Sequence, residues 1–255
     1  MKLSTTIITL NEEKDLPRCL ESVRDISDQI VVVDCGSTDN TVKIAKSFGA
    51  EVYTRVFDNY ADQKNFAIKK ADGEWILSLD ADEEISPALA KEIDLVTRNG
   101  QSEIAGYSIP RKNIIFGKLI RYTRWQSELD RHVWLWKKNK GSWEGDVHEE
   151  VVVNGRVGKL VNAKIHYQYE NVTEFMTMMN RYSEFDANQN VKNGVKFSYI
   201  RVFFDPVYNF LVRYLYRLGF LDGWRGFILS YLMAIYHIEI AVKMWERKGV
   251  NRSVV

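Results

Sequence analysis

Residues 75–82 read WILSLDAD, a short apolar run that ends in two aspartates, Asp80 and Asp82. Such a run is typical of a buried strand. Side chains at positions i and i+2 of a strand point to the same side, so both carboxylates can converge on one ligand. Mg²⁺ and Mn²⁺ prefer oxygen ligands and commonly take only one or two protein carboxylates beside phosphates and water. The stretch predicts a metal site at a strand end.

The first hundred residues alternate between short β-branched runs and helical patterns, at the spacing of βαβ units. Strands are predicted at residues 3–10, 29–34, 51–55 and 74–79, and helices at residues 11–23, 39–48 and 60–71. This alternation predicts an α/β fold with a parallel, doubly wound sheet. Ligands of such sheets bind beyond the carboxyl ends of the strands.

Polar residues cluster at three of the predicted strand ends, after residues 8, 33 and 79. One cluster alone is weak, because Asp80 and Asp82 could form an acidic turn ahead of a helix that begins near Ser86. Three clusters at one sheet edge favour a ligand site. Neither G-x-G-x-x-G after the first strand nor a G-x-x-x-x-G-K-[ST] loop occurs, so neither common nucleotide fingerprint applies.

Composition sets the broad class of the protein. The 255 residues are 45% hydrophobic, which suits one large α/β domain or a core with an appended subdomain. The net charge of +1 gives no global argument for a nucleic-acid partner. Cys19 and Cys35 have no C-x-x-C spacing, and residues 1–10 are too short and Thr-rich for a signal peptide. We therefore expect a cytoplasmic protein.

Four segments together resemble glycosyltransferase family 2, the inverting enzymes of GT-A fold. They are TIITLNE at 6–12, VVDCGSTDNT at 32–41, KN at 64–65 and LDAD at 79–82. The resemblance implies a Rossmann-like, mostly parallel sheet flanked by helices. It implies a catalytic domain over residues 1–170, with a nucleotide-binding half at about 1–100 and an acceptor half at about 101–170, and a helical extension at 171–255.

Carried over residue by residue, the resemblance also implies roles in binding a UDP-sugar. Thr9 and Glu12 would flank the nucleoside, and Asp34 would contact the uracil. Asp80 would meet the ribose and is kept as a second metal ligand, whereas Asp82 would bind the metal that bridges the two phosphates. The same set includes Asn11, Gly36 and Ser37. Cys35 departs from many relatives at its position, although the Asp-x-Gly-Ser frame is intact.

The leaving group explains why these residue types are needed. A diphosphate departs as a multiply charged anion, and a divalent ion, Mg²⁺ or Mn²⁺, would neutralise that charge as Lewis acid and template. Lys64 could add a point charge to the phosphates, or it could be a solvated residue of an amphipathic helix.

The segment GDVHEE at residues 145–150 resembles the acceptor half of the lipopolysaccharide-core β-glucosyltransferase subgroup, as does His166. Inversion by a single in-line attack needs one general base. We favour Glu149 as that base, with Asp146 second, and assign His148 to positioning or a further metal contact. The alternative is a solvated acidic loop. H-E-x-x-H is absent, which argues against a zinc hydrolase.

Residues 111–140 contain nine basic and two acidic residues, interleaved with aromatic ones. Single-stranded nucleic-acid binders share this composition, but the preceding motifs favour an anionic, phosphate-bearing glycan acceptor and no nucleic acid. Arg124 and Trp125 are the first candidates for acceptor contact. Trp134 and Trp136 alternate with Val133 and Leu135, as core strand residues also do.

The region after residue 196 is apolar and aromatic, with interspersed arginines. Asp205 and Pro206 predict the start of a helix to about residue 218, followed by a second helix to about residue 249. His237 and Glu239 interrupt the second helix, which disfavours a transmembrane span. A hairpin in the inner-membrane interface fits better. Packing on the protein's own domain or on a second subunit is the alternative, which leaves a homo-oligomer open.

The expected function is transfer of a hexose, glucose by preference, from a UDP-sugar to a hydroxyl of a lipid-linked envelope glycan such as lipopolysaccharide core. The enzyme would be peripheral on the cytoplasmic face of the inner membrane. One alternative is a polyprenyl-phosphate glycosyltransferase, whose acceptor is already ionised and needs no base. Another is a non-catalytic, membrane-associated module that binds nucleotide or glycan.

Overall fold

The computed structural model describes residues 2–99, 103–145 and 149–250. Its strands are β1 (Leu3–Thr9), β2 (Gln29–Asp34), β3 (Glu51–Thr54), β4 (Trp75–Asp80), β5 (Glu83–Ile85), β6 (Ile104–Ile115), β7 (Lys118–Leu119), β8 (Arg131–Lys137), β9 (Gly141–Glu144), β10 (Glu150–Val153), β11 (Arg156–Lys159) and β12 (Lys164–Tyr169). Its α-helices are α1 (Leu16–Val23), α2 (Thr41–Ser47), α3 (Tyr60–Lys70), α4 (Pro87–Asn99), α5 (Val172–Lys192), α6 (Tyr199–Leu211) and α7 (Trp224–Val250).

The main sheet has the strand order β3-β2-β1-β4-β8-β6-β12-β5, with β7 and β11 paired to β6. Strands β1 to β4 are mutually parallel, and β8 is antiparallel to both β4 and β6. Every residue of β2 is buried, as expected for a parallel strand covered by helices on both faces. The expected α/β architecture, with a mostly parallel sheet flanked by helices, is confirmed.

The parallel strands bring the predicted polar clusters to one edge of the sheet. In the register of β1, Thr9 lies beside Asp34 of β2, and Ile8 lies beside Asp80 of β4. Parallel strands share their direction, so their carboxyl ends must meet. The clusters that lie far apart in sequence are therefore neighbours in space.

The chain forms two compact units. The first comprises Met1–Lys112 and Ser127–Tyr167, and the second comprises Asn113–Gln126 and Gln168–Val255. The first is built on the apolar residues of the sheet and of α1, and the second on a cluster that includes Phe175, Met179 and Leu229. Residues 113–126, assigned from sequence to the acceptor half, thus belong to the second unit.

The first helix begins later than the sequence predicts. Asn11 was expected to cap it, but α1 starts at Leu16, after Asp15 and with Pro17 in its first turn. Asn11 has a φ of 57° and its side chain accepts a hydrogen bond from the backbone N–H of Thr38. The prediction is wrong because this side chain is committed to a neighbouring loop, whereas proline suits a first turn.

The helices of the second unit differ in how well the sequence predicts them. Helix α5 begins as expected, since Asn171 accepts a hydrogen bond from the backbone N–H of Glu174. Helix α6 begins at Tyr199 and contains Pro206 in its interior, and a π-helical turn, Val212–Tyr216, follows it. The expected start at Asp205 is therefore wrong: proline removes one N–H donor, but the helix continues through it.

Helix α7 passes a simple test for a membrane span. Within the part of the chain that the structure describes, it is the one helix long and apolar enough to cross a membrane by length and composition, over Trp224–Arg247. However, 44% of the most apolar stretch of this helix is buried inside the protein. Leu229, Leu232 and Met233 of this helix pack in the core of the second unit.

Candidate active site

The loops that follow β1 and β2 are joined by hydrogen bonds. The backbone N–H of Asn11 donates to the Ser37 hydroxyl at 2.8 Å, and the Asn11 side chain accepts from the Thr38 backbone at 2.9 Å. The backbone N–H of Glu12 donates to the Thr41 hydroxyl at 2.7 Å. These bonds fix the two predicted nucleoside-binding loops against each other, so they form one preorganised surface.

Asp34 holds its own loop in place. The side chain is only 2% exposed. One oxygen accepts from the backbone N–H groups of Gly36 and Ser37 at 2.9 and 3.0 Å, and the other accepts from the hydroxyls of Ser37 and Thr9 at 2.5 and 3.3 Å. Gly36 has a φ of 99°, a left-handed conformation that favours glycine. A nucleobase N–H that contacts Asp34 must therefore replace a hydroxyl donor.

Glu12 lies in a cluster of negative charge at the sheet edge. Burial raises its pKa to about 7, and the carboxylates of Asp82, Asp15, Asp80 and Asp39 add to the shift. These four carboxylates repel the charged form of Glu12. A bound divalent cation would relieve this repulsion.

We expect Glu12→Gln to stabilise the protein at pH 8. A carboxyl whose pKa is raised on folding contributes stability that is complete below its unfolded pKa of about 4.3 and is lost as pH rises through about 7. Urea-unfolding midpoints of variant and parent should therefore agree near pH 4 and diverge towards pH 8. Glu21→Gln, at an exposed position of α1, is the control. An identical pH profile for both variants would contradict the prediction.

Lys64 of α3 connects both halves of the candidate site. Its side chain is 4% exposed, and its Nζ lies 3.0 Å from Asp80 and 3.1 Å from Glu149. The ammonium group also lies 4.3 Å from the centre of the Trp143 ring. Burial alone would lower the pKa of Lys64, but the two carboxylates outweigh it and the net pKa is raised. The alternative of a solvated lysine is wrong.

The two aspartates of the LDAD motif have different partners. Burial tends to raise the pKa of Asp80, but the charges of Lys64 and Lys164 outweigh it and hold the pKa well below its usual value. Asp80 and Asp82 are similarly accessible, with 33% and 29% of their side chains exposed, and Oδ2 of Asp82 lies 3.1 Å from Nε2 of His166. Asp80 is therefore engaged by a lysine, whereas Asp82 is paired with an imidazole.

Asp82 and His166 form a donor pair that suits a divalent metal. Strand β12 places His166 there by pairing antiparallel with β5, and the Tyr167 backbone donates to the Asp82 carbonyl at 3.0 Å. Among the described residues, no group of three or more His, Cys, Asp or Glu side chains is arranged to hold a metal. Two protein ligands are enough when substrate phosphates and water complete the shell. The carboxylate fits Mg²⁺ or Mn²⁺, and the imidazole nitrogen fits the transition metal Mn²⁺ better than Mg²⁺.

A layer of buried charges supports the turn after β4. Glu83 is fully buried, accepts from Lys164 at 2.5 Å and accepts from the backbone N–H of Asp80 at 3.1 Å. Burial lowers the pKa of Lys164 to about 8, and its Nζ lies 3.1 Å from the centre of the Trp134 ring. Arg111 lies 3.6 Å from Glu83 and forms a bidentate pair with Asp130.

The sequence did not identify Glu83, Lys164 or Arg111 as part of the candidate site. It also did not indicate His166 as a candidate metal ligand. Glu83 carried a signal, as an acid directly after the LDAD motif. The others carried none, because their partners lie far from them in sequence.

Helix α3 contacts Trp143 and Glu149, which lie on either side of the candidates Asp146 and His148 in the sequence. Asn65 donates its side-chain N–H to the Trp143 carbonyl at 2.9 Å and accepts from the Trp143 backbone N–H at 3.0 Å. Glu149 is bonded to Lys64. The candidates Asp146 and His148 lie outside the described residues. The LDAD motif and Glu149 are therefore brought together, as the choice of Glu149 requires.

The aromatic residues of the basic region fall into two groups. Trp134 and Trp136 are buried in the sheet, so the interpretation as core strand residues is confirmed. Trp125 belongs to the second unit and packs edge-on against Phe175. Arg124, beside it, is exposed and has a φ of 75°. Contact of Arg124 and Trp125 with an acceptor stays a prediction.

Comparison with known proteins gives consistent matches. The family model described as Glycosyl transferase family 2 matches residues 4–149. An uncharacterized glycosyltransferase of Rickettsia typhi is 32% identical over 265 residues, covering 100% of this chain and 90% of that protein. The lipopolysaccharide core biosynthesis glycosyltransferase LpsC of Rhizobium meliloti is 31% identical over 264 residues, covering 98% and 94%.

One solved structure supports the fold. The mannosyltransferase PcManGT from Pyrobaculum calidifontis, in complex with GDP-Man and Mn²⁺, has a TM-score of 0.58 to this chain. The match covers 96% of this chain and 87% of that one, at 14% sequence identity. At this identity the similarity concerns the fold alone.

Proposed function

Because the chain belongs to glycosyltransferase family 2 and has the GT-A fold, we propose that it transfers glucose from a UDP-sugar to a hydroxyl of a lipid-linked envelope glycan, with inversion. The single observation that carries the proposal is the position of Lys64, which lies within 3.1 Å of both Asp80 and Glu149. A carboxylate of the nucleotide-binding edge and the candidate base thus share one buried cation.

The donor would bind along the carboxyl edge of the sheet. The loops after β1 and β2 would hold the nucleoside, with Asp34 at the uracil and Asp80 at the ribose. Asp82 and His166 would hold Mg²⁺ or Mn²⁺. The bound ion would supply Lewis-acid stabilisation of the leaving diphosphate.

Glu149 would act on the acceptor. Its carboxylate would accept the proton of the acceptor hydroxyl while that oxygen forms a bond to the anomeric carbon. The bond from the anomeric carbon to the diphosphate oxygen breaks on the opposite side, which inverts the configuration. Lys64, paired with both carboxylates, would keep Glu149 in register with Asp80.

The acceptor class rests on similarity to LpsC, whose name assigns it to lipopolysaccharide core biosynthesis. We extend the proposal to a phosphorylated, lipid-linked acceptor at the cytoplasmic face of the inner membrane. The exposed Arg124 would contact its anionic groups.

The donor and metal are tested by thermal shift. We expect UDP-glucose with Mn²⁺ or Mg²⁺ to raise the melting temperature of the protein. In a separate assay without acceptor, the protein should slowly hydrolyse UDP-glucose and release glucose. Asp82→Asn should weaken metal-dependent donor binding at least about tenfold, because it removes a ligand. Glu84→Gln, in the adjoining strand β5 and bonded to Tyr167, should keep the shift. A parent protein that no sugar nucleotide stabilises, with either metal, would overturn the proposed donor.

A further inference from the structure

Helix α6 presents an apolar face to solvent. The α6 face consists of Ile200, Phe203, Phe204, Val207, Tyr208 and Leu211, all of which are exposed. Phe203 is 76% and Ile200 75% exposed. Their spacing of three and four residues puts them on one side of the helix. Soluble monomers rarely expose contiguous apolar surface on this scale, so the α6 face indicates a binding surface.

A cation of the same helical region points inward. Arg213, in the turn after α6, is only 8% exposed and donates to the Thr123 carbonyl at 2.8 Å. Asn209 donates to the carbonyl of Asp205. Surface helices of soluble proteins have the opposite arrangement, with apolar residues inside and charges outside. The apolar outer face of α6 is therefore that of a helix whose outer side meets an apolar phase.

Charge is nearly absent from the surrounding surface. All residues from 199 to 245 are described, and Arg201 is the only charged residue among those that are exposed. The other exposed residues of this stretch are aromatic, aliphatic or glycine. The apolar surface thus continues from the α6 face through Phe220 and Leu221 to Trp224 of α7.

A cationic rim borders this surface. It consists of Lys118, Arg121 and Arg124, which are exposed, and residues 113–126 contain no acid. Asp222, buried between α6 and α7, accepts from the backbone N–H groups of Arg121 and Tyr122 at 3.1 and 2.9 Å. These two bonds therefore fix the rim to the short connection between α6 and α7.

We propose that the α6 face and the cationic rim dock onto the surface of an anionic lipid bilayer, with α6 lying in the membrane interface. The aromatic and aliphatic side chains would enter the acyl boundary, and the three cations would meet lipid phosphates. A second copy of the chain fits less well. In a two-fold dimer the same patch meets itself, so both rims would bring like charges together.

The test is co-sedimentation of the full-length chain with vesicles of phosphatidylcholine alone or mixed with phosphatidylglycerol. We expect binding to the mixed vesicles that weakens with salt. Phe203→Ser combined with Phe204→Ser should reduce it at least about tenfold. Lys118→Gln combined with Arg121→Gln should reduce it about fivefold per charge and flatten the salt dependence.

Val56→Ser is the matched control, since Val56 is 81% exposed in the first unit. It should bind vesicles like the parent, and all variants should keep the parent's melting temperature and donor-induced shift. A parent that ignores mixed vesicles would overturn the proposal. So would a dimer in sedimentation that the phenylalanine variant dissociates, because the face would then join two copies. Donor binding is independent of these outcomes, so the proposed function is tested separately.

Discussion

Glu149→Gln is expected to reduce sugar transfer by about two to four orders of magnitude, the usual contribution of a general base. The amide keeps the shape of the side chain but cannot accept the proton of the acceptor hydroxyl. Lys64 retains its pair with Asp80 at 3.0 Å, so the fold and the donor-binding edge should persist. The loss should therefore fall on turnover, with donor binding close to that of the parent.

The measurement is transfer from UDP-glucose to a lipid-linked acceptor, with donor affinity from thermal shift. Glu150→Gln is the matched control, because Glu150 is the next residue and its side chain is 71% exposed. It should turn over like the parent. Near-normal transfer by Glu149→Gln would remove Glu149 from the role of base. It would favour a polyprenyl-phosphate acceptor, which is ionised at neutral pH and needs none.

Lys64→Met is expected to destabilise the fold by about 3–5 kcal/mol, because it leaves two carboxylates without their buried cation. The pKa of Asp80 predicts the pH range in which this loss of stability should be largest. The pKa of Asp80 is lowered on folding, so its ion pairs contribute stability above its unfolded pKa of about 3.9. Without Lys64, burial would dominate and disfavour the charged form. The deficit should be largest at neutral pH and shrink as pH falls towards 5.

Urea unfolding between pH 5 and 8 measures this effect. Lys69→Met, at an exposed position of the same helix, should change stability by less than about 0.5 kcal/mol. Adding Asp80→Asn and Glu149→Gln to Lys64→Met removes the unpaired charges and should restore most of the lost stability. A single Lys64→Met variant as stable as the parent at pH 7 would show that the three groups are not coupled.

Local patterns were sufficient for the nucleotide-binding half of the fold. The apolar runs that became β1, β2 and β4 are buried on both faces, and such strands leave few alternatives. Once they are parallel, their register brings Thr9 beside Asp34. The position of the candidate site at the sheet edge was therefore predictable from periodicity and strand direction.

Partners across the sequence were not predictable in the same way. The sequence does not reveal that Lys64 lies beside Asp80 or that His166 lies beside Asp82. Asn11 was expected to cap a helix and instead accepts from Thr38. Each outcome depends on a group at least sixteen positions away. Short-range propensity carries no information about such pairs.

The sequence by itself determined the alternation of strands and helices, the carboxyl edge where the polar loops collect, and the family, because these follow from local periodicity and from motifs. Only the tertiary structure decided how charge is distributed within the LDAD motif. Lys64 on α3 neutralises Asp80, whereas β12 supplies His166 to Asp82. The physical reason is burial: a charge removed from water must find a partner nearby in space, and folding alone determines which residues are near.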